Sequence, residues 1–263
     1  MQISKRVRLA GALGITTVVV TATAAYAATD TTVVIGANAA GTPALTYTPS
    51  DITVFKGDTV TWTNHGDRAH SATSGTGPQD PDSGANFDSG LLPQTTGTFT
   101  KQFDEVGTFP FYCKVQPRVG FFPHFNAGMK GNVHVLYKFG GFQAPIDPEP
   151  TVNTAKAGSA IPIKFSLSGY QGTDILGSVD RNNPDSATYP VSQQSDCASG
   201  APTDAIEETA DPGDSGLSYD AMTDTYTFVW KTQKAWSGQC RTLQLRFADG
   251  ATTPYTASFR FTK

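Results

Sequence analysis

Four side chains able to bind a soft metal fall in two short stretches. His70 lies in "NHGDRAHSAT", while Cys113, His124 and Met129 lie in "FYCKVQPRVGFFPHFNAGMKG". Ten residues separate Cys113 from His124, and four separate His124 from Met129. A thiolate and two imidazoles in a trigonal plane, with a thioether held at longer range on the axis, make a mononuclear electron-transfer copper site. With those four donors no coordination position stays open for a substrate. Lewis-acid or oxidase chemistry is therefore disfavoured, and passing single electrons remains. Taken alone, Cys113 also fits a buried, inert thiol beside Phe109 and Phe111, or one half of an intermolecular disulfide. Gln116 is a rival to His124, since an amide oxygen can bind copper axially, but it substitutes poorly for an equatorial imidazole. His65 reads as a turn residue bonded to its surroundings or to water. His134 alternates with Val133 and Val135 and should face away from their core side.

The elements that must carry these residues read as β-strands. In "DITVFKGDTVTWTN", Ile52 and Val54 share one face, Lys56-Gly57-Asp58 turns, and Val60 and Trp62 resume the alternation. "GTFTKQFDEVGTFPFYC" alternates through Phe99 and Phe103, then through Phe109, Phe111 and Cys113. "GNVHVLYK" closes the set, and the Gly-, Pro-, Asp- and Ser-rich stretch between Ser71 and Gly97 is mostly loop. A second series of strands follows in "AIPIKFSL", "DTYTFVW", "RTLQLRF" and "ASFRFTK". The expected fold class is all-β, with two sandwiches in succession.

These stretches resemble a plastocyanin-like cupredoxin over about residues 30–137. "ITVFKGDTVTWTNHGDRAHSAT" supplies the strand and first-ligand loop, "GTFPFYC" the strand that ends at the Cys, and "HFNAGMKGNVHV" the His-x4-Met pair before the last strand. The resemblance implies a Greek-key sandwich, one type 1 copper, and His70, Cys113, His124 and Met129 as its ligands. It also implies that His124 emerges in an apolar patch used by redox partners, which here would hold Phe121, Phe122 and Phe125. The gap from Cys113 to His124 is longer than in many small cupredoxins and looks more like the type 1 site of copper nitrite reductases. Those enzymes place a His directly before the Cys to serve a catalytic copper; this chain has Tyr112. His-x-His pairs like those of multicopper oxidases are also lacking, so an electron carrier is expected rather than an enzyme.

Lys5, Arg6 and Arg8, the apolar run from Leu9 to Val20, and "AYA" ending at Ala27 read as a secretory signal over residues 1–27. Its removal takes the net charge from −4 to −7, which argues against nucleic acid or an anionic membrane as the main partner. No later segment has the apolar length to span a bilayer. A secreted or cell-envelope protein is expected, with an unidentified redox protein or a cell-surface component as partner.

Residues 138–149, with "FGGFQAP" and "DPEP", read as a short stiff linker. Cys197 and Cys240 both lie in the second half and form the natural disulfide, closing a loop worth about 4 kcal/mol in the chain-entropy model. Residues 150–263 resemble the bacterial PxKF domain, the motif being Pro162, Ile163, Lys164 and Phe165. That resemblance implies an extracellular immunoglobulin-like sandwich with no activity attached. The acidic run Asp204, Glu207, Glu208, Asp211 and Asp214 lacks EF-hand spacing and reads as a solvated loop, as does "QDPDSGANFD". No nucleophile-elbow Gly-x-Ser-x-Gly is present. From a different class, the alternative is an extracellular copper-binding, copper-storage or non-redox adhesion protein on a cupredoxin scaffold.

Overall fold

The computed structural model describes residues 29–37, 43–114, 129–180, 182, 187–208 and 216–263. The expected signal segment lies outside these residues, as do Gln116, Phe121, Phe122, His124 and Phe125. In the first half the strands are β1 (Asp30–Ala37), β2 (Pro43–Thr48), β3 (Asp51–Phe55), β4 (Thr59–Asn64), β5 (Thr73–Ser74), β6 (Thr98–Gln102), β7 (Gly107–Tyr112) and β8 (Lys130–Leu136). They form two four-stranded sheets, ordered β2-β1-β4-β6 and β3-β8-β7-β5. β1 runs parallel to β4 and β3 parallel to β8, while the other neighbours are antiparallel. Parallel neighbours so far apart in sequence require connections that cross between sheets, and that closes a sandwich.

The alternation determines which face each sheet buries. Ile52, Val54, Val60, Trp62, Val133 and Val135 all point into one core. Trp62 lies at its centre, 5.2 Å from Phe87 and 5.4 Å from Phe111 between ring centroids. Such tilted and edge-on pairs add about 0.5–1.5 kcal/mol each beyond their burial.

The second half contains β9 (Phe142–Gln143), β10 (Val152–Lys156), β11 (Ala160–Phe165), β12 (Val191–Ser195), β13 (Pro202–Glu208), β14 (Ser218–Asp220), β15 (Thr225–Lys231), β16 (Cys240–Leu245) and β17 (Tyr255–Thr262). A five-stranded sheet, β10-β17-β16-β12-β13, faces a four-stranded one, β14-β15-β11-β9. Ile163, Phe165, Tyr226 and Trp230 from one sheet meet Leu243, Leu245, Phe259 and Phe261 from the other. The chain is all-β, and Cys197 and Cys240 are joined in a disulfide. Among the described residues, no helix is long and apolar enough to cross a membrane.

Residues 138–149, expected as a linker, contribute to the second core. Phe142–Gln143 is a strand paired with Lys164 and Phe165 of β11, and Ile146 is buried. The Phe139 ring lies 4.1 Å from that of Tyr255. Gly and Pro punctuate this stretch in sequence, yet its three apolar side chains have a hydrophobic surface to cover, and burial outweighs the local signals.

The junction continues into the first sandwich. The Tyr137 amide donates to Asp249 Oδ2 at 3.0 Å, and the Tyr137 ring stands edge-on to Phe247. Lys56 Nζ donates to Gln171 Oε1 at 2.7 Å. All of this lies at the end of β7 and β8 where Gly107 pairs with Val135. Cys113 and Met129 sit at the opposite end of the same two strands, about 20 Å away at a rise of about 3.3 Å per residue.

Candidate metal centre

Two loops meet at that opposite end. The first leaves β4 at Asn64, which is fully buried and organises the chain around it. Asn64 Nδ2 lies within bonding distance of the Arg68, Leu92 and Pro93 carbonyls, at 2.9, 3.0 and 3.1 Å, and its Oδ1 accepts from the Gly66 amide at 2.9 Å. A buried amide satisfied on both ends makes a rigid turn. His70 then exchanges backbone hydrogen bonds with Leu92 in both directions, at 3.2 and 2.8 Å. Its imidazole is 2 % exposed.

The ring of His70 is set by what each nitrogen faces. Nε2 sits against the backbone of Gly36 and Gly66: a Cβ added to either would stand 3.0 or 3.1 Å from it. Gly36 has φ +76°, a left-handed conformation suited to glycine, so its lack of a side chain serves both the backbone and the ring. Nδ1 faces the Cys113 sulfur at 3.7 Å. Burial pushes the His70 pKa down; Asp67 opposes this and Arg68 adds to it. The imidazole is therefore neutral at ordinary pH, with a lone pair available to a metal.

Cys113 follows β7 and is a free, buried thiol. Its amide donates to the Met129 carbonyl at 3.2 Å, which holds the start of β8 beside it, and the Met129 side chain is 1 % exposed. Ser71, which sequence reasoning did not single out, ties the two loops together. Its amide donates to Cys113 Sγ at 3.4 Å, and its Oγ accepts the Lys114 amide at 2.8 Å. Nothing in a lone Ser after a His announces this role; only the crossing of the loops creates it.

Beyond Ser71, Lys114 Nζ lies 2.6 Å from Asp88 Oδ2, and Thr73 donates to Asp88 Oδ1. Burial would raise the Asp88 pKa, but hydrogen bonds from Lys114, Thr73 and Gly90 outweigh it and hold the carboxyl below its ordinary range. On the core side the Tyr47 hydroxyl donates to the Ser71 carbonyl at 2.5 Å. Burial, together with the Cys113 sulfur beside it, pushes the Tyr47 pKa up, so this hydroxyl stays protonated.

These residues fit a soft late first-row metal. Imidazole nitrogen and thiolate sulfur bind such ions at about 2.0 and 2.3 Å. The His70 nitrogen and the Cys113 sulfur, 3.7 Å apart, are near enough that both could bind one such ion. His65 and His134 do not join them. His65 is exposed, its amide bonded to Ile35 O at 3.0 Å. His134 lies on the far half of β8 between Thr108 and Asp51, with its Nδ1 3.1 Å from the Thr108 hydroxyl. His124 lies outside the described residues.

Residues 33–136 match the family described as copper binding proteins, plastocyanin/azurin family. The plastocyanin of Scenedesmus fuscus is 32% identical over 110 residues, which cover 40% of this chain and 99% of that protein. The chain belongs to the plastocyanin/azurin family. Among solved structures, a purple cupredoxin from Nitrosopumilus maritimus is 28% identical, covering 40% of this chain and 99% of its own, with a TM-score of 0.30. Plastocyanin from Dryopteris crassirhizoma is 26% identical, covering 40% and 98%, with a TM-score of 0.29. Copper is the cofactor of this cupredoxin, and its fold places soft donors from two loops at one end of the sandwich.

Proposed function

We propose that this protein is an exported type 1 copper protein that binds one copper ion and carries single electrons. The observation that carries the reading is the approach of a neutral, buried His70 Nδ1 to the buried Cys113 sulfur at 3.7 Å. His70, Cys113, His124 and Met129 are the ligands in this reading. Copper, when bound, supplies a one-electron couple.

The chain's own residues do the rest. His70 is held in place by Asn64, Leu92 and the two glycines, so its nitrogen need not move between redox states. The Ser71 amide donates to the Cys113 sulfur and draws electron density from it, which favours the reduced state. Met129 offers a polarizable thioether from a buried position, and with copper bound it would serve as a weak donor that tunes the potential. Tyr47, Phe111 and Met129 keep water from the core side. With His70, Cys113 and Met129 buried and held in this way, electrons are exchanged with little rearrangement of these three side chains.

Residues 30–137 form the electron-carrying unit in this reading, and residues 150–263, a PxKF-type sandwich, act as spacer or attachment module. The second sandwich packs at the end of β7 and β8 opposite Cys113, so among the described residues it does not cover the copper end. Phe121, Phe122 and Phe125 around His124 are proposed as the docking surface for a redox protein. Nucleic acid is not a partner in this reading, and the chain is a carrier rather than an enzyme. Export follows cleavage after Ala27.

Adding Cu(II) to the purified mature protein tests the reading. An intense visible band from thiolate-to-copper charge transfer is expected at one copper per chain. Colourless binding would instead favour copper storage on the same scaffold. For the docking surface, Phe121→Ala with Phe122→Ala should slow electron exchange with a redox partner about tenfold or more, as loss of a hot-spot aromatic pair does. The visible band should stay. An unchanged exchange rate would remove these residues from the docking surface.

A further inference from the structure

We propose that Tyr47 is a positioning residue for the copper thiolate: its hydroxyl fixes Ser71, and through Ser71 the hydrogen bond that reaches the Cys113 sulfur. The inference rests on the reading of Cys113 as a copper ligand.

Tyr47 belongs to β2, the edge strand of the sheet opposite the one that carries Cys113. Its ring is buried and meets Phe111 edge-on, with centroids 4.7 Å apart. Packing alone would be met by a phenylalanine of the same shape. A buried hydroxyl must instead find a partner or carry the full cost of its desolvation. The partner is the Ser71 carbonyl, at 2.5 Å.

Ser71 is thereby held at three points. Its carbonyl accepts from Tyr47, its Oγ accepts from the Lys114 amide, and its own amide donates to Cys113 Sγ. The first bond comes from the opposite sheet, the second from the residue after the thiol, and the third ends on the thiol itself. A bond to sulfur at 3.4 Å is weak and depends on direction. Fixing the carbonyl of the same residue limits how far its amide can swing from the sulfur. The Tyr47 hydroxyl also lies beside the Cys113 sulfur itself, so it acts on the thiolate both directly and through the backbone it anchors.

Removing the hydroxyl while keeping the ring is the direct test. In Tyr47→Phe, Ser71 loses one anchor and its amide bonds the sulfur less well, leaving more electron density on the thiolate. The copper-loaded variant should show a shifted charge-transfer band and a lower reduction potential than wild type. In the apoprotein, alkylation of Cys113 by a maleimide should be about fivefold faster, the factor that corresponds to one net hydrogen bond of about 1 kcal/mol. Phe109→Leu, which thins the same core away from the thiol, is the control and should leave band and potential in place.

An unchanged alkylation rate in Tyr47→Phe overturns the proposal. Faster alkylation with an unmoved band also overturns it, since Tyr47 would then only shield the thiol. If wild type develops no charge-transfer band at all, the electron-transfer reading fails. The alkylation comparison against Phe109→Leu then decides the role of Tyr47 without copper.

Discussion

Cys113→Ser is expected to abolish the visible charge-transfer band of the copper-loaded protein completely. A serine hydroxyl is a hard donor that stays protonated near neutral pH, and it offers neither the covalency nor the charge of a thiolate. Copper affinity should fall by at least about 100-fold, the upper end of what altering even an outer-sphere partner costs. The fold should survive. Cys113 is small and buried, and the Ser71 amide that now donates to its sulfur can donate to a hydroxyl instead. Absorption spectroscopy after Cu(II) addition, with a thermal melt of the apoprotein as control, measures both. A band that persists in the variant would place the chromophore elsewhere and defeat the electron-transfer reading.

Loss of the disulfide should have the largest effect on stability. Cys197 and Cys240 are 43 residues apart, and the chain-entropy model assigns a closure of that length about 4 kcal/mol. The native contacts around it are already made without the bond. Ser195 pairs with Cys240 where β12 meets β16, so the link adds little to the folded state and acts by restricting the unfolded chain. Replacing both cysteines by Ala is expected to lower the stability of the second sandwich by about 3–4 kcal/mol. Its melting temperature should fall by roughly 10–20 °C, seen by calorimetry. Copper binding should be unaffected, because the junction lies at the end of β7 and β8 away from Cys113. A melting temperature within a degree or two of wild type would refute the loop-closure account.

Much of the framework is legible from alternation alone. Val133 and Val135 with His134 turned away, Val60 with Trp62, and Phe259 with Phe261 all fall on the faces their period of two predicts. A sheet with one buried face admits no other register, so local pattern is enough there. Residues 138–149 mark the limit. Their glycines and prolines read as a break, whereas Phe139, Phe142 and Ile146 take places in a core completed by a strand that lies more than a hundred residues later. Local composition carries no information about a surface that distant segments build.

The metal site divides along the same line. Residue type and spacing point to His70 and Cys113 as candidate donors, because soft-metal chemistry restricts which side chains can serve, and the fold brings the two side chains to 3.7 Å from one another. That Ser71 donates to the sulfur, that Tyr47 anchors Ser71 from the opposite sheet, and that Gly36 and Gly66 make room for the imidazole depend on two loops and two sheets meeting at one end of the sandwich. Donor identity is a property of single residues and survives in a string of letters. Donor geometry and its tuning are properties of backbone atoms brought within 4 Å by long-range pairing, and only the folded chain decides them.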